Sequence, residues 1–178
     1  MYFDRDFSTP SDENLLIVFF DWPLYTRITR ELSSKDVFAK LNEFYVMSDL
    51  FFEARGGRVL KYMGDAGLIV FPPEKAEDGV VSLLEFKSQA DDWLDKNGFA
   101  RGINVNAHFG QVTIGLMGAP GFSRLDILGS NVNICATLGK RGLTLSPQAF
   151  RCLSPKNRKF FKKFTPPIVY TAADRAGE

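Results

Sequence analysis

Apolar positions along this chain recur with two different periods. Residues 15–21 (LLIVFFD) form a continuous apolar run closed by an acid, which reads as a buried strand. From Lys35 to Ala54 the apolar residues Val37, Phe38, Leu41, Phe44, Tyr45, Met47, Leu50 and Phe51 return at helical spacing. That pattern predicts a long amphipathic helix, with Ser33-Ser34 as its N-cap region and Gly56-Gly57 as its stop. RVLKYMGD and AGLIVFPP follow as two short strands meeting at Gly64-Asp65, and a glycine at that junction makes a hairpin. A second helix is predicted from about Glu74 to Lys96, ended by Asn97-Gly98. INVNAHFG and VTIGLMG read as a second hairpin turning at Gly110-Gln111. SRLDILG reads as a short strand, SNVNICATLGKRG as a helix with a glycine exit, LTLS as a strand and PQAFRCL as a short helix. KFFKKF and IVYTA finish the sheet.

Hairpins separated by long helices indicate an α+β fold, a ferredoxin-like antiparallel sheet with helices on one face. With no repeat, linker or low-complexity stretch, residues 1–178 are expected to form a single domain, with 1–14 as a disordered extension. At 178 residues the chain can bury a core without disulfides or a structural metal. Seventeen phenylalanines make that core aromatic. The net charge of +1 excludes a strong electrostatic call on nucleic acid or an acidic membrane, so partners must be argued from local sites. Cys135 and Cys152 are too few for a disulfide framework and read as free thiols. A polar, acidic N-terminus without a secretory signal, and no run of about 18 apolar residues, point to a cytoplasmic protein.

Candidate chemistry begins with two acids. Asp21 closes the first strand and Asp65 sits at the tip of the first hairpin. If those strands are neighbours the carboxylates meet, and a carboxylate pair sharing two Mg²⁺ or Mn²⁺ ions suits in-line attack on phosphorus. Acids at strand ends and in turns are common, so spacing alone leaves both open to a structural role.

VFFDWPLYTRI followed by GGRVLKYMGDAGLIVF resembles the two metal-binding motifs of the class III adenylate and guanylate cyclases. NAHFGQVTIGLMG resembles that family's His-x-Gly-x-Val hairpin, and SRLDILGSNVNICATL its substrate and transition-state segment. The likeness runs from about Leu15 to Tyr170 and rests on joint spacing. Lys61 stands four before Asp65, and Asp126 seven before Asn133. The resemblance implies metal ligation by Asp21 and Asp65, base recognition by Lys61 and Asp126, and ribose positioning by Asn133. It implies a head-to-tail homodimer, the metal carboxylates coming from one subunit and the other groups from its partner, and conversion of a nucleoside triphosphate into its 3′,5′-cyclic monophosphate. Lys61 only donates and ionised Asp126 only accepts, which complements adenine N1 and N6 and leaves guanine mismatched. Cytosine presents adenine's pattern at N3 and N4, so hydrogen bonding leaves CTP open and only pocket size would exclude it. His108 reads as structural. Lys162 and Lys163 fall near the family's triphosphate-binding lysine, or belong to a solvated basic run with Lys156, Arg158 and Lys159.

Two departures stand out. Thr137 occupies the position of the family's transition-state arginine and supplies neither positive charge nor a forked donor. Lys140 and Arg141 lie three and four residues further on, within reach only if the helix continues past Gly139. After Asp21, Trp22-Pro23-Leu24-Tyr25 replaces the small residues whose amides cradle phosphate, and Pro23 removes one amide. Three readings follow: a weak or specialised cyclase; an inactive homologue that binds nucleotide or a partner; and a diguanylate cyclase, from the faint likeness of KYMGDAGLIVFP to that family's hairpin, with Met63 and Ala66 at two defining positions.

Overall fold

In the computed structural model, which describes residues 2–165 and 167–173, one eight-stranded sheet organises the chain. Its strands are β1 (Ser11–Asp21), β2 (Arg58–Met63), β3 (Ala66–Phe71), β4 (Asn104–Met117), β5 (Arg124–Leu128), β6 (Leu143–Leu145), β7 (Phe161–Phe164) and β8 (Val169–Ala172). They lie in the order β2-β3-β1-β4-β6-β8-β7, with β5 pairing the far end of β4. All pairs are antiparallel except β4–β6. The helices are α1 (Tyr25–Thr29), α2 (Ser34–Glu53), α3 (Ala76–Lys96), α4 (Ser130–Ala136), α5 (Pro147–Arg151) and α6 (Pro155–Arg158).

Strand alternation divides the core in two. Leu16, Val18 and Phe20 of β1 meet α2 and α3 through Phe44, Phe52, Leu83 and Phe86, all fully buried. Leu15 and Ile17 face the other way, against Val112, Ile127 and Cys135, so β5 and α4 cover the second face. Ser33 caps α2 as its position before the apolar periodicity predicts, its hydroxyl accepting the Asp36 amide at 3.1 Å.

Two expectations need correction. The hairpin placed at Gly110-Gln111 does not form: β4 runs unbroken through both residues, which pair with Leu15 and Asn14. Gly110 instead marks a close approach, since a Cβ there would lie 2.7 Å from Cγ of Asn131 in α4. The turn comes later, between β4 and β5. Residues 2–14 are not a loose extension: Phe3 and Phe7 are buried and β1 already begins at Ser11. The condition set for Lys140 and Arg141 is not met: α4 ends at Ala136 with Thr137 as its C-cap, before Gly139, so neither shares a helical face with Thr137.

Gly79 shows how closely α3 lies on the sheet. A Cβ there would stand 2.8 Å from Leu16 Cδ2 and 2.9 Å from Phe71 Cγ. Gly79→Ala is therefore expected to destabilise the fold by about 1–3 kcal/mol through overpacking, against the roughly 1 kcal/mol that alanine gains in helix propensity. Chemical denaturation checks the sign.

Candidate active site

Register places both acids where the two strands end. Asp21 is the last residue of β1 and pairs with Ala66 on β3 and Asn104 on β4, so Asp65, one residue before Ala66, lies beside it. The Gly64-Asp65 turn is tied to α2 by the Tyr45 hydroxyl, which donates to the Gly64 carbonyl at 2.5 Å. Tyr45 in turn stacks on Tyr62, with ring centroids 3.7 Å apart. Burial pushes the carboxyl pKa of Asp21 up, while the Lys140 ammonium and the Asn104 side chain pull it down. Burial also raises Asp65, and the neighbouring Asp21 charge adds to that rise; the backbone amides of Asp65 and Trp22 oppose it. Each acid is thus partly desolvated and repelled by the other, a hard-oxygen pair to which a divalent cation is the natural complement. Among the described residues no third His, Cys, Asp or Glu joins them. Two protein carboxylates fit a Mg²⁺ site that takes its remaining ligands from phosphate and water.

Lys61 and Asp126, 65 residues apart, form an ion pair: Lys61 Nζ donates to Asp126 Oδ2 at 2.5 Å. The other carboxylate oxygen accepts the Ile127 amide at 2.8 Å. The pair is half-exposed, at 39% and 21% of side-chain surface, so a ligand can reach it. Lys61 pairs with Leu68, and Leu68 with Phe19, whose side chain shares a face with Asp21 two residues on. Asp21 and the Lys61–Asp126 pair therefore lie on one face, the one β5 and α4 cover.

The same row continues through Asn106, Thr144 and Thr171 to Lys162 on β7. Lys163 pairs with Tyr170 and, by alternation, belongs to the opposite face. Register thus separates two lysines that the sequence leaves equivalent. Asn133 is exposed on α4. Thr137 turns its hydroxyl back into α4, donating to the Asn133 carbonyl at 2.8 Å.

His108 is buried, its Nε2 bonds Asn131 Oδ1 at 2.8 Å, and burial lowers its pKa, all of which agrees with a structural role. The Trp22 side chain departs from any phosphate cradle: it is 2% exposed among Tyr25, Phe44, Trp93 and Phe99. Its amide serves Asp65 instead. Leu24 follows with φ of 57°, an uncommon left-handed conformation for a branched residue, and opens α1. Sequence reasoning missed Asn104, which the register alone puts beside Asp21, and the placement of Lys140, whose Nζ lies 3.9 Å from Asp21 Oδ2.

An acid pair at adjoining strand ends and a Lys–Asp ion pair bridging β2 and β5 are the two polar constellations that this α+β fold assembles. The adenylate and guanylate cyclase catalytic domain family matches residues 7–165, and the chain belongs to that family. An adenylate cyclase from Anabaena cylindrica is 24% identical over 144 residues, covering 75% of this chain and 28% of that protein. A bacterial light-regulated adenylyl cyclase superposes with a TM-score of 0.78 at 20% identity, over 92% of this chain and 52% of the other. The guanylate cyclase domain of RhGC from Catenaria anguillulae, in complex with GTP, gives 0.76 at 21% identity, over 91% and 98%. At these identities the structural likeness is one of fold. The chain thus spans 28% of the length of the Anabaena relative and about half of the light-regulated cyclase.

Proposed function

We propose that this domain converts a nucleoside triphosphate, ATP ahead of GTP, into its 3′,5′-cyclic monophosphate and pyrophosphate, in sites shared between two head-to-tail copies. The observation that carries this reading is the Lys61–Asp126 ion pair on the same sheet face as Asp21. With no base present each partner satisfies the other. With adenine between them the ammonium donates to N1 and the carboxylate accepts from N6, whereas guanine turns its O6 acceptor toward the carboxylate. A second copy is supported by apolar side chains left exposed on β4, β5 and α4 and on the turn between the two strands. Phe122 is 84% exposed, Leu128 58% and Ile134 43%.

The ribose 3′-oxygen attacks the α-phosphorus, its proton leaves, and the bond to the β-phosphate oxygen breaks. Two divalent ions on Asp21 and Asp65 would activate that hydroxyl and stabilise the departing pyrophosphate. The chain's own residues align the reactants: Lys61 and Asp126 fix the base, Asn133 orients the ribose, and Lys162 stands on the face of the triphosphate. Thr137 contributes no charge, and its inward hydrogen bond favours the competing reading of a domain that binds nucleotide without turning it over.

Purified protein given Mg²⁺ or Mn²⁺ with each of ATP, GTP, CTP and UTP decides between them. Cyclic AMP as the main product supports the proposal. Calorimetric ATP binding with no cyclic product from any nucleotide establishes the reading of a domain that binds nucleotide without turnover. Asp126→Ala is expected to cut kcat/KM for ATP about 10²-fold and to narrow the ATP-to-GTP preference, because Lys61 loses its partner and the base loses its acceptor. Product formation from both nucleotides reads this.

A further inference from the structure

Beyond α4 the chain is held at three points. Thr137 caps the helix, Gly139 turns it with φ of 148°, and the Gly142 carbonyl accepts the Val105 amide at 2.9 Å. Val105 follows Asn104, the residue paired with Asp21, so the exit of this loop is fixed one residue from the strand partner of Asp21. Inside the loop the two cations are treated differently. The Arg141 guanidinium lies 3.9 Å from the centre of the Phe164 ring and is held against β7. Lys140 is 83% exposed with its ammonium 3.9 Å from Asp21 Oδ2, and its charge lowers the pKa of Asp21 and of Asp65.

A contact at 3.9 Å by so exposed a side chain is a loose ion pair, weakly held and easily exchanged. Lys140 therefore keeps its hydrogen-bonding capacity for another acceptor. Any triphosphate brought to Asp21 and Asp65 carries several negative oxygens into this space, and an ammonium is a compact point charge suited to them. Thr137, by contrast, carries no charge to offer them.

We infer that Lys140 is a triphosphate-binding residue of this site, a cation supplied from the chain that carries Asp21 and Asp65 in place of the charge missing at Thr137. Asp21 is its resting partner, and phosphate oxygens take over the ammonium when nucleotide enters. The inference deepens the cyclase reading and rests on it for the location of the triphosphate. A neighbouring consequence is that Lys140 competes with divalent cations for Asp21 while the site lacks nucleotide.

The test uses α,β-methylene-ATP, which cannot be cyclised, with Mg²⁺ and calorimetric detection. Lys140→Ala is expected to weaken binding of this analogue about tenfold, leave adenosine binding unchanged, and tighten Mn²⁺ binding in the absence of nucleotide. Lys140→Arg is expected to restore analogue affinity to within about twofold of wild type. Unchanged analogue affinity in Lys140→Ala, or an equal loss for adenosine, overturns the inference. A wild-type protein that binds the analogue in a Lys140-dependent way but yields no cyclic product from any triphosphate would refute turnover and leave the role of Lys140 standing. A wild-type protein that makes cyclic AMP, with Lys140→Ala binding the analogue normally, removes only Lys140. Failure of the wild type to bind the analogue at all overturns both.

Discussion

Asp65→Asn is expected to reduce cyclic nucleotide formation by about 10³-fold or more and, in the same protein, to raise the melting temperature. The first effect follows from removing half of a carboxylate pair that would hold several kcal/mol of transition-state charge stabilisation. The second follows from the sign of the pKa shift. Burial and the Asp21 charge raise the carboxyl pKa of Asp65 above its unfolded value of 3.8. The folded protein thus holds this proton more tightly than the unfolded chain does. The associated stability is complete below the unfolded pKa and is lost as pH rises through the folded one, so at pH 7 the ionised acid is a net cost. Asparagine keeps the shape and one acceptor for the Trp22 amide while removing that charge. Relief of this kind is worth roughly 0.5–2 kcal/mol, and each kcal/mol moves Tm by about 2–4 °C in a chain of this length. Thermal melts of wild type and variant should differ most near neutral pH and converge toward pH 4. A lower Tm for Asp65→Asn at pH 7 would make Asp65 chiefly a turn acceptor and take away the electrostatic argument for a cation site.

Much of this architecture is written in short-range patterns. The period of Phe44, Met47 and Phe51 and the run from Leu15 to Phe20 each bury enough apolar surface to dictate their elements whatever surrounds them. Glycine is ambiguous by comparison. Gly64 is a turn and Gly110 a point where α4 approaches β4, and only the side chain of Asn131, 21 residues away in sequence, decides which. Phe3 and Phe7 stand isolated in a polar stretch, so nothing local announces that they close the second core beside Val112 and Ile127. The pairing of Lys61 with Asp126 is similarly invisible to periodicity; family spacing suggests both residues, and the folding of β5 back along β4 brings them together. Trp22 follows the catalytic-looking Asp21 but answers to the aromatic cluster of Phe44 and Trp93, which is why the phosphate-cradle comparison fails there. Lys140 depends on how the loop between α4 and β6 turns, a matter that charge and spacing do not determine.

Thr137→Arg is expected to increase turnover of ATP by about 10²–10³-fold, the range associated with restoring one charged or hydrogen-bonding group at a developing negative charge. The structure offers little resistance to the change. Thr137 is exposed at the C-terminal end of α4. The cost is its hydroxyl bond to the Asn133 carbonyl, and an arginine there gains from the negative end of the helix dipole, about 0.3–1 kcal/mol in the opposite direction. Folding should hence be nearly unchanged, and the gain should appear in kcat more than in KM if the new charge acts on the transition state. Thr137→Ala, which frees the same space without adding charge, is the control and should show no gain. The double variant with Lys140→Ala carries the most information. If Lys140 already supplies part of the same charge, its loss will matter several-fold less once Thr137 is arginine, a non-additivity that independent sites would not show. A strictly additive pair would place Lys140 on phosphates remote from the reacting phosphorus, and a Thr137→Arg protein no faster than wild type would mean that something other than the missing arginine limits this site.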